Sequence, residues 1–406
     1  MRARFTGKTV VLGITGSIAA YKACEIASRL VEMGAAVIPV LTRSACELVG
    51  PASLEAITGN RAILGMFEPL QDPKIEHIAV AHRADLFIIA PATANILAKA
   101  AHGLADDWLS TTLVATRAPI LFAPAMNTLM YQHPATQANI GLLKERGASF
   151  VGPGTGRLAC GDEGPGRLAE IPHILEASAI ALTRGKDLAG RRVLITSGAN
   201  HEPIDPVRFI GNASTGRMGR ALALEALCRG AQVCVVAGPS DVALPDAAEV
   251  VPVRTAAEMH DAVMRRFDAC DILFAAAAVA DYRSAAVEQA KMKRTGPITL
   301  ELLPNTDIVA EAARSRHAGQ VVAGFAAETD NVPENAAAKL AAKGLDLILA
   351  NRVGGADGAI GAEDSEAWLL RAGEPPETLG RASKSDIARR LVDAAAAMLH
   401  GQDFAH

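Results

Sequence analysis

Glycine-rich loops and a few polar residues at the ends of apolar runs carry the chemistry legible in this chain. Gly13-Ile-Thr-Gly16-Ser17-Ile18-Ala19 follows an apolar run and opens a helix-like stretch. Glycines there let backbone amides approach a phosphate at a helix N-terminus. The spacing is GxxGxxA rather than GxGxxG, so alone it discriminates poorly. Gly211-Asn212-Ala-Ser214-Thr-Gly216-Arg-Met-Gly219 opens a second helix-like stretch, 220–229. Its amides and the Ser214 hydroxyl could hold phosphates, or serve as a plain N-cap. Between these, residues 152–166 hold six glycines. So many glycines cost ordering entropy, so the stretch reads as a mobile flap. Cys160 within it reads as an accessible thiol, able to donate a proton or attack.

Other candidates sit where apolar runs end. Thr93 and Asn95 lie in Pro91-Ala-Thr-Ala-Asn95, either as helix caps or as groups facing a cofactor. Asn127, after the run 120–123, is a neutral group suited to gripping a carboxylate or amide, and His77 precedes the segment 78–84. Asp281 closes the run that starts at Asp271, where a carboxylate near phosphates suits magnesium. Lys291-Met-Lys-Arg294 follows it and could stabilise charge on a transferring phosphate, although so short a basic cluster is usually a solvated face. Phe325, one of few aromatics, stands at another strand end where a base could stack. The runs 36–41 and 232–237 end in Thr42-Arg43 and Pro239-Ser240, with no acid to hold a ribose. That disfavours NAD and suits a single phosphate with a hydroxyl-bearing pocket, as in FMN.

The positioning elements repeat. Thr9–Gly16 and Arg192–Gly198 are similar buried strands running into glycine. Each is followed by a helix-like stretch, a second strand, and later an Asp before a further apolar run, Asp85 and Asp271. Apolar strands alternating with helices predict parallel sheets covered on both faces. The chain therefore reads as α/β, two three-layer Rossmann-like domains, 1–189 and 190–406, joined through the polar stretch 183–190. With 406 residues, 50% apolar and 21% charged, the composition is globular. A net charge of −4 and the absence of Lys/Arg runs argue against nucleic acid as a partner. No apolar stretch reaches membrane-spanning length. Arg2, Arg4 and Lys8 before the apolar stretch 10–20 mimic a signal peptide, but Gly13 and Gly16 break it. The six cysteines form no CxxC pair, which suits reduced thiols and a cytoplasmic enzyme.

Taken together, the first-half segments resemble the FMN-dependent cysteine decarboxylases. The matching set is Gly-x-Thr-Gly-Ser-Ile-Ala-Ala-Tyr-Lys, His77, Ala-Pro-Ala-Thr-Ala-Asn, Pro-Ala-Met-Asn-x-x-Met and Ala-Cys-Gly-Asp-x-Gly-x-Gly-Arg, in order over about 8–175. Leu168 stands where Met is common. The resemblance implies a flavodoxin-like domain holding FMN through Gly16, Ser17, Ile18, Thr42, Thr93 and Asn95. His77 and Asn127 would orient substrate, and Cys160 would donate a proton.

The second half is similar to CTP-using phosphopantothenate–cysteine ligases over about 190–372. Glu-Pro-Ile-Asp-Pro-Val-Arg, Asn-x-Ser-x-Gly-x-Met-Gly, Ala-Ala-Val-Ala-Asp, Lys-x-Lys and Gly-Phe-Ala-Ala-Glu-Thr carry the match. Ala199-Asn200 stands where Pro/Gly-Thr is usual, and Arg217 and Arg294 replace Lys. The resemblance implies CTP held by Asp281, Asn305, Thr306, Asp307, Ile308, Phe325, Lys339 and Lys343, with Mg2+ at Asp281. Lys291 would serve acyl-cytidylate formation and Asn212 its reaction with cysteine. Decarboxylase followed by ligase is the order of the bifunctional coenzyme A biosynthesis family. That family implies 4′-phosphopantothenate, cysteine and CTP as small-molecule partners. It also implies a homo-oligomer, a dodecamer from trimeric decarboxylase and dimeric ligase contacts. Two Rossmann-like halves also describe a glycosyltransferase, and flavodoxin-like relatives include non-enzymatic binding proteins.

Overall fold

The apolar runs are buried strands in the computed structural model, which describes residues 1–66, 77–159, 161–183, 187–294, 296–354 and 364–403. Contacts divide the chain into two units, Met1–Arg184 and Gly185–His406.

In the first unit, β1 (Thr9–Ile14), β2 (Ala36–Leu41), β3 (Leu86–Ala92), β4 (Ile120–Pro124) and β5 (Ser149–Phe150) form a parallel sheet in the order β2-β1-β3-β4-β5. This is the flavodoxin-like order, in which the β1/β3 boundary is the topological switch. Every residue of β3 is buried, as expected for a central strand covered by helices on both faces. Helix Ala23–Glu32 buries Ala23, Ile26, Ala27 and Leu30, one stripe at helical spacing. The few aromatics concentrate in the core, where Phe122 and Phe150 stack at 5.3 Å.

The aspartate preceding β3 has a structural task. Asp85 accepts hydrogen bonds from the Thr9 amide and the Lys8 ammonium, both at 2.8 Å, and so pins the start of β3 to β1. Asp271 does the same in the second unit, accepting from the Arg192 amide at 2.6 Å and from Arg191 at 3.2 Å.

The glycine-rich stretch predicted as a flap is a hairpin of β6 (Gly154–Arg157) and β7 (Glu163–Arg167). Its glycines permit close backbone approach. A Cβ on Gly166 would lie 2.2 Å from the Met126 carbonyl oxygen, and the Gly166 carbonyl accepts from the Met126 amide at 3.0 Å.

In the second unit, β8 (Arg192–Ser197) begins the fold. The pair β9 (Glu202–Pro203) and β10 (Phe209–Ile210) is a short antiparallel ribbon. Next come β11 (Gln232–Ala237), β12 (Glu249–Pro252) and β13 (Ile272–Ala275). A second ribbon pairs β14 (Tyr282–Ser284) with β15 (Leu302–Pro304). The remainder are β16 (Val321–Glu328), β17 (Leu347–Arg352), β18 (Asp364–Arg371) and β19 (Glu377–Ser383). The main sheet runs β12-β11-β8-β13-β16-β17-β18-β19. The predicted parallel sheet holds from β12 to β17, but β18 and β19 are antiparallel, so the sheet is mixed. β18 runs against β17, and residues 372–376 then form too short a link for a crossover, so β18 and β19 pair as a hairpin.

Candidate active sites

In the first unit a cleft of about 530 Å³ opens at the carboxyl ends of β1, β3 and β4. Thr15 joins two of these exits. Its hydroxyl donates to the Pro91 carbonyl at 2.7 Å and accepts from the Thr93 amide at 3.1 Å. Thr93 in turn accepts from the Ile96 amide, caps helix Ala94–His102 and lines the cleft. Ser17 caps the tight turn Ile18–Lys22. Gly16, Ser17 and Ile18 line the cleft, and a Cβ on Gly16 would meet the Ser44 Cβ at 2.4 Å. Asn127 also lines it. Its Oδ1 accepts from the Leu129 amide at 2.8 Å and its Nδ2 donates to Asp162 at 2.9 Å, tying the β4 exit to the hairpin.

Three predicted residues lie outside this lining. Thr42 precedes helix Arg43–Cys46 and its hydroxyl donates to the Ile14 carbonyl at 3.4 Å, Asn95 is exposed on the first turn of its helix, and half-buried His77 begins helix His77–Arg83. Cys160 lies outside the described residues. Lys22, Arg157 and Arg167 line the cleft without having been singled out from sequence. They bring positive charge to a site assigned to anions.

The second unit organises a cleft of about 570 Å³ around the alanine-rich loop 275–281. Almost every peptide of that loop is held by a neighbour. The Ala277 amide donates to the Thr196 hydroxyl at 3.1 Å, and the Ala278 amide to the Gly198 carbonyl at 2.9 Å. The Val279 carbonyl accepts from Asn212 Nδ2 at 2.9 Å. The Ala280 amide donates to Asn200 at 2.7 Å, and its carbonyl accepts from Asn305 Nδ2 at 2.8 Å. Small side chains leave this fixed backbone open to a ligand.

Asn212, Asp281, Asn305, Thr306, Asp307, Ile308, Phe325, Lys339 and Lys343 all line this cleft. Lys339 pairs with Glu328 at 2.6 Å and Lys343 with Asp307 at 2.9 Å. Burial works against the Asp307 carboxylate, but Lys343 and the Ala310 amide outweigh it and hold its pKa below the usual range. Lys291 is exposed and outside the lining. Its loop is anchored next door, because the Met292 amide donates to buried Asp205 at 3.2 Å while Arg208 donates to the Met292 carbonyl at 3.3 Å. Arg208 also pairs with Asp205 at 2.7 Å. Among the described residues, no group of three or more His, Cys, Asp or Glu is placed to hold a metal.

Two family models match the chain: Flavoprotein over residues 2–182, and the DNA/pantothenate metabolism flavoprotein C-terminal domain over 188–399. The coenzyme A biosynthesis bifunctional protein CoaBC of Mycobacterium bovis is 43% identical over 410 residues, covering 97% of this chain and 97% of the relative. The chain belongs to this bifunctional family. CoaBC of Bacillus subtilis is 42% identical over 395 residues, with 96% and 97% covered. A crystal structure of the C-terminal domain of CoaBC matches with 34% identity and a TM-score of 0.46, covering 53% of this chain and 100% of that one. As a member of the bifunctional family, the chain is an enzyme of coenzyme A biosynthesis with phosphopantothenoylcysteine decarboxylase and phosphopantothenate–cysteine ligase activities. The glycosyltransferase and non-enzymatic readings are set aside by that membership. No helix among the described residues is long and apolar enough to cross a membrane.

Lys384 was missed by sequence reading although it lines the ligase-side cleft. A lysine at the start of a C-terminal helix carries no local signal. Glu328 was visible within Gly-Phe-Ala-Ala-Glu-Thr, but its pairing with Lys339 needs the fold.

Proposed function

We propose that the unit Gly185–His406 joins cysteine to 4′-phosphopantothenate using CTP, and that the unit Met1–Arg184 decarboxylates the product using FMN. The observation that carries the ligase half is the convergence on one cleft of the residues the resemblance assigned to the nucleotide.

In the ligase unit the phosphopantothenate carboxylate attacks the α-phosphorus of CTP, and the bond to pyrophosphate breaks. The fixed loop 275–281 gives the nucleotide a rigid backbone to lie on, so alignment costs little at the moment of reaction. Phe325 offers a face to the base. Lys339 and Lys343 exchange their carboxylate partners for CTP oxygens, and Lys291 neutralises charge at the transferring phosphorus. Asp281 is the carboxylate that would meet Mg2+ arriving with CTP, since magnesium commonly takes one or two carboxylates plus phosphate oxygens. The cysteine amine then attacks the acyl carbon and CMP leaves, with the Asn212 amide holding the acyl group.

The decarboxylase cleft fits a flavin mononucleotide: glycine-lined amides at a switch point, capping hydroxyls and positive charge surround it. FMN, when bound, supplies an electron sink at the thiol-bearing carbon, so that carbon dioxide can depart. Gly16, Ser17, Ile18, Thr93 and Asn127 would contact cofactor or substrate from this chain. Asn127 is held in one orientation by Leu129 and Asp162 and presents its amide to the substrate. Cys160 donates the proton that completes the product. Thr42, Asn95 and His77 lie outside one chain's cleft, which suits a site completed by a second subunit. Exposed Ile18, Tyr21, Leu129 and Met130 support a trimeric contact there. In the other unit, exposed Phe209 and Tyr282 on the two ribbons support a dimeric one, together giving the dodecamer. Free thiols at Cys24, Cys46, Cys228, Cys234 and Cys270 suit a reducing cytoplasm.

The test supplies purified yellow protein with phosphopantothenate, cysteine and CTP. Pyrophosphate and carbon dioxide should both be released. Pyrophosphate without carbon dioxide sinks the decarboxylase assignment, and neither product sinks both.

A further inference from the structure

A second cleft of about 190 Å³ adjoins the ligase site. It is lined by the glycine-rich loop 213–219. Helix Arg217–Cys228 begins there with Gly216 as its cap, and no side chain caps it. Backbone amides at such an N-terminus favour anions. The two clefts share one wall, made of Met218, Ala276, Ala278, Ala327, Asn351 and Lys384. Lys384 is the one charged side chain of that wall.

We infer that Lys384 grips the β- and γ-phosphates of the nucleotide where the larger cleft passes into the glycine-rich loop, a role that rests on the ligase reading above.

Three observations support it. First, Lys384 is half-buried, and its ammonium donates to the Ser365 hydroxyl at 2.6 Å. Second, Lys339 and Lys343 each carry a carboxylate partner, whereas no carboxylate of a described residue forms an ion pair with Lys384. A half-buried cation with only a neutral partner gains from an incoming anion. Burial lowers its pKa, with nearby Asp364 opposing, in keeping with an incompletely compensated charge. Third, Phe325 and Asn305–Ile308 line the larger cleft alone, which leaves the shared wall and the small cleft for the phosphate end. Lys384 therefore acts on the leaving pyrophosphate, not on the base.

The full chain carrying Lys384→Gln is titrated with CTP and, separately, with CMP. CTP affinity should fall about 10- to 100-fold, the scale of a charge-assisted hydrogen bond. CMP affinity should stay within about twofold, which also shows that the site is folded. Lys384→Arg should recover most of the CTP affinity. Equal weakening toward CTP and CMP, or unchanged CTP affinity, overturns the proposal. An unmutated chain that binds no CTP overturns the ligase reading and this proposal with it, and is told apart by needing no variant.

Discussion

Asn200 is fully buried, and its side-chain oxygen accepts a hydrogen bond from the backbone amide of Ala280 at 2.7 Å. Its nitrogen donates to Glu202, whose carboxylate also accepts from the Ala256 amide at 2.7 Å. One amide thus fixes the peptide before Asp281 to the loop after β8. This accounts for a departure from the usual ligase pattern, because a buried side chain with both donor and acceptor is satisfied at both ends here.

Asn200→Leu keeps the volume and removes both bonds, leaving the Ala280 amide without its buried acceptor. The second unit should lose about 2–3 kcal/mol of stability. Asn200→Thr keeps an acceptor and should lose about 1 kcal/mol. Urea titration in a Trp108→Phe background reads this unit alone, through buried Trp368. Equal stability of Leu and Thr variants would show that the bond to Ala280 is unimportant.

Gly16→Ala should bleach the protein. The added Cβ would lie 2.4 Å from the Ser44 Cβ, so the loop after β1 must move off helix Arg43–Cys46 and carry its amides with it. The visible flavin absorbance per chain should fall at least tenfold, a loss of about 1.4 kcal/mol or more in cofactor binding. Ligase activity should persist. Adding Ser44→Gly removes the clashing carbon and should restore colour. A double variant that stays colourless would point to a cause other than this contact.

The central strands were legible because full burial leaves an unbroken apolar run, as in Leu86–Ala92. The antiparallel end was not, since an apolar run does not declare its direction, and β18 runs against both β17 and β19. Asp281 was legible because it follows a strand exit, where doubly wound sheets gather ligands, whereas Lys339 and Lys343, on helix Val332–Lys343, and Asn305–Ile308 came from the family resemblance. Lys384 and Arg157 were not, because an isolated basic residue normally faces solvent and its position over a cleft depends on how distant strands meet, while Arg167 stood in the matching motif without a role assigned. The glycines of residues 152–166 looked like freedom of motion. At Gly166 the missing Cβ serves instead the close approach of the hairpin to Met126.

His260 should give the ligase unit a pH-dependent increment of stability. Its Nε2 lies 3.1 Å from Glu311 and its Nδ1 3.2 Å from Asp261, joining helix Ala256–Phe267 to helix Ile308–Ser315, which starts in the nucleotide loop. Burial pulls the imidazole pKa down, but the two carboxylates more than reverse that and raise it above the ordinary value. A raised folded pKa means that the increment is complete below the unfolded pKa of about 6.5 and is lost as pH rises through the folded one. The pairs are partly exposed, so the effect is below about 1 kcal/mol. The fall in stability of the Trp368-reported unit from pH 6 to 8 should be shallower in His260→Gln. Identical slopes would remove this pair from the account.

Arg208 should act on the reaction through Lys291 alone. It pairs with Asp205 at 2.7 Å and donates to the Met292 carbonyl at 3.3 Å, while Asp205 accepts from the Met292 amide at 3.2 Å. The peptide beside Lys291 is therefore clamped from two sides, but neither clamp lines the nucleotide cleft. Arg208→Gln should slow acyl-cytidylate formation about tenfold, equivalent to about 1.4 kcal/mol in the barrier. Lys291→Gln should slow it further, by about 100-fold. If Arg208 works by placing Lys291, the double variant should be no slower than Lys291→Gln, because there is no ammonium left to misplace. Single-turnover formation of the acyl-cytidylate measures all four corners of this cycle. Rates that multiply would mean that Arg208 reaches the substrate by a separate route.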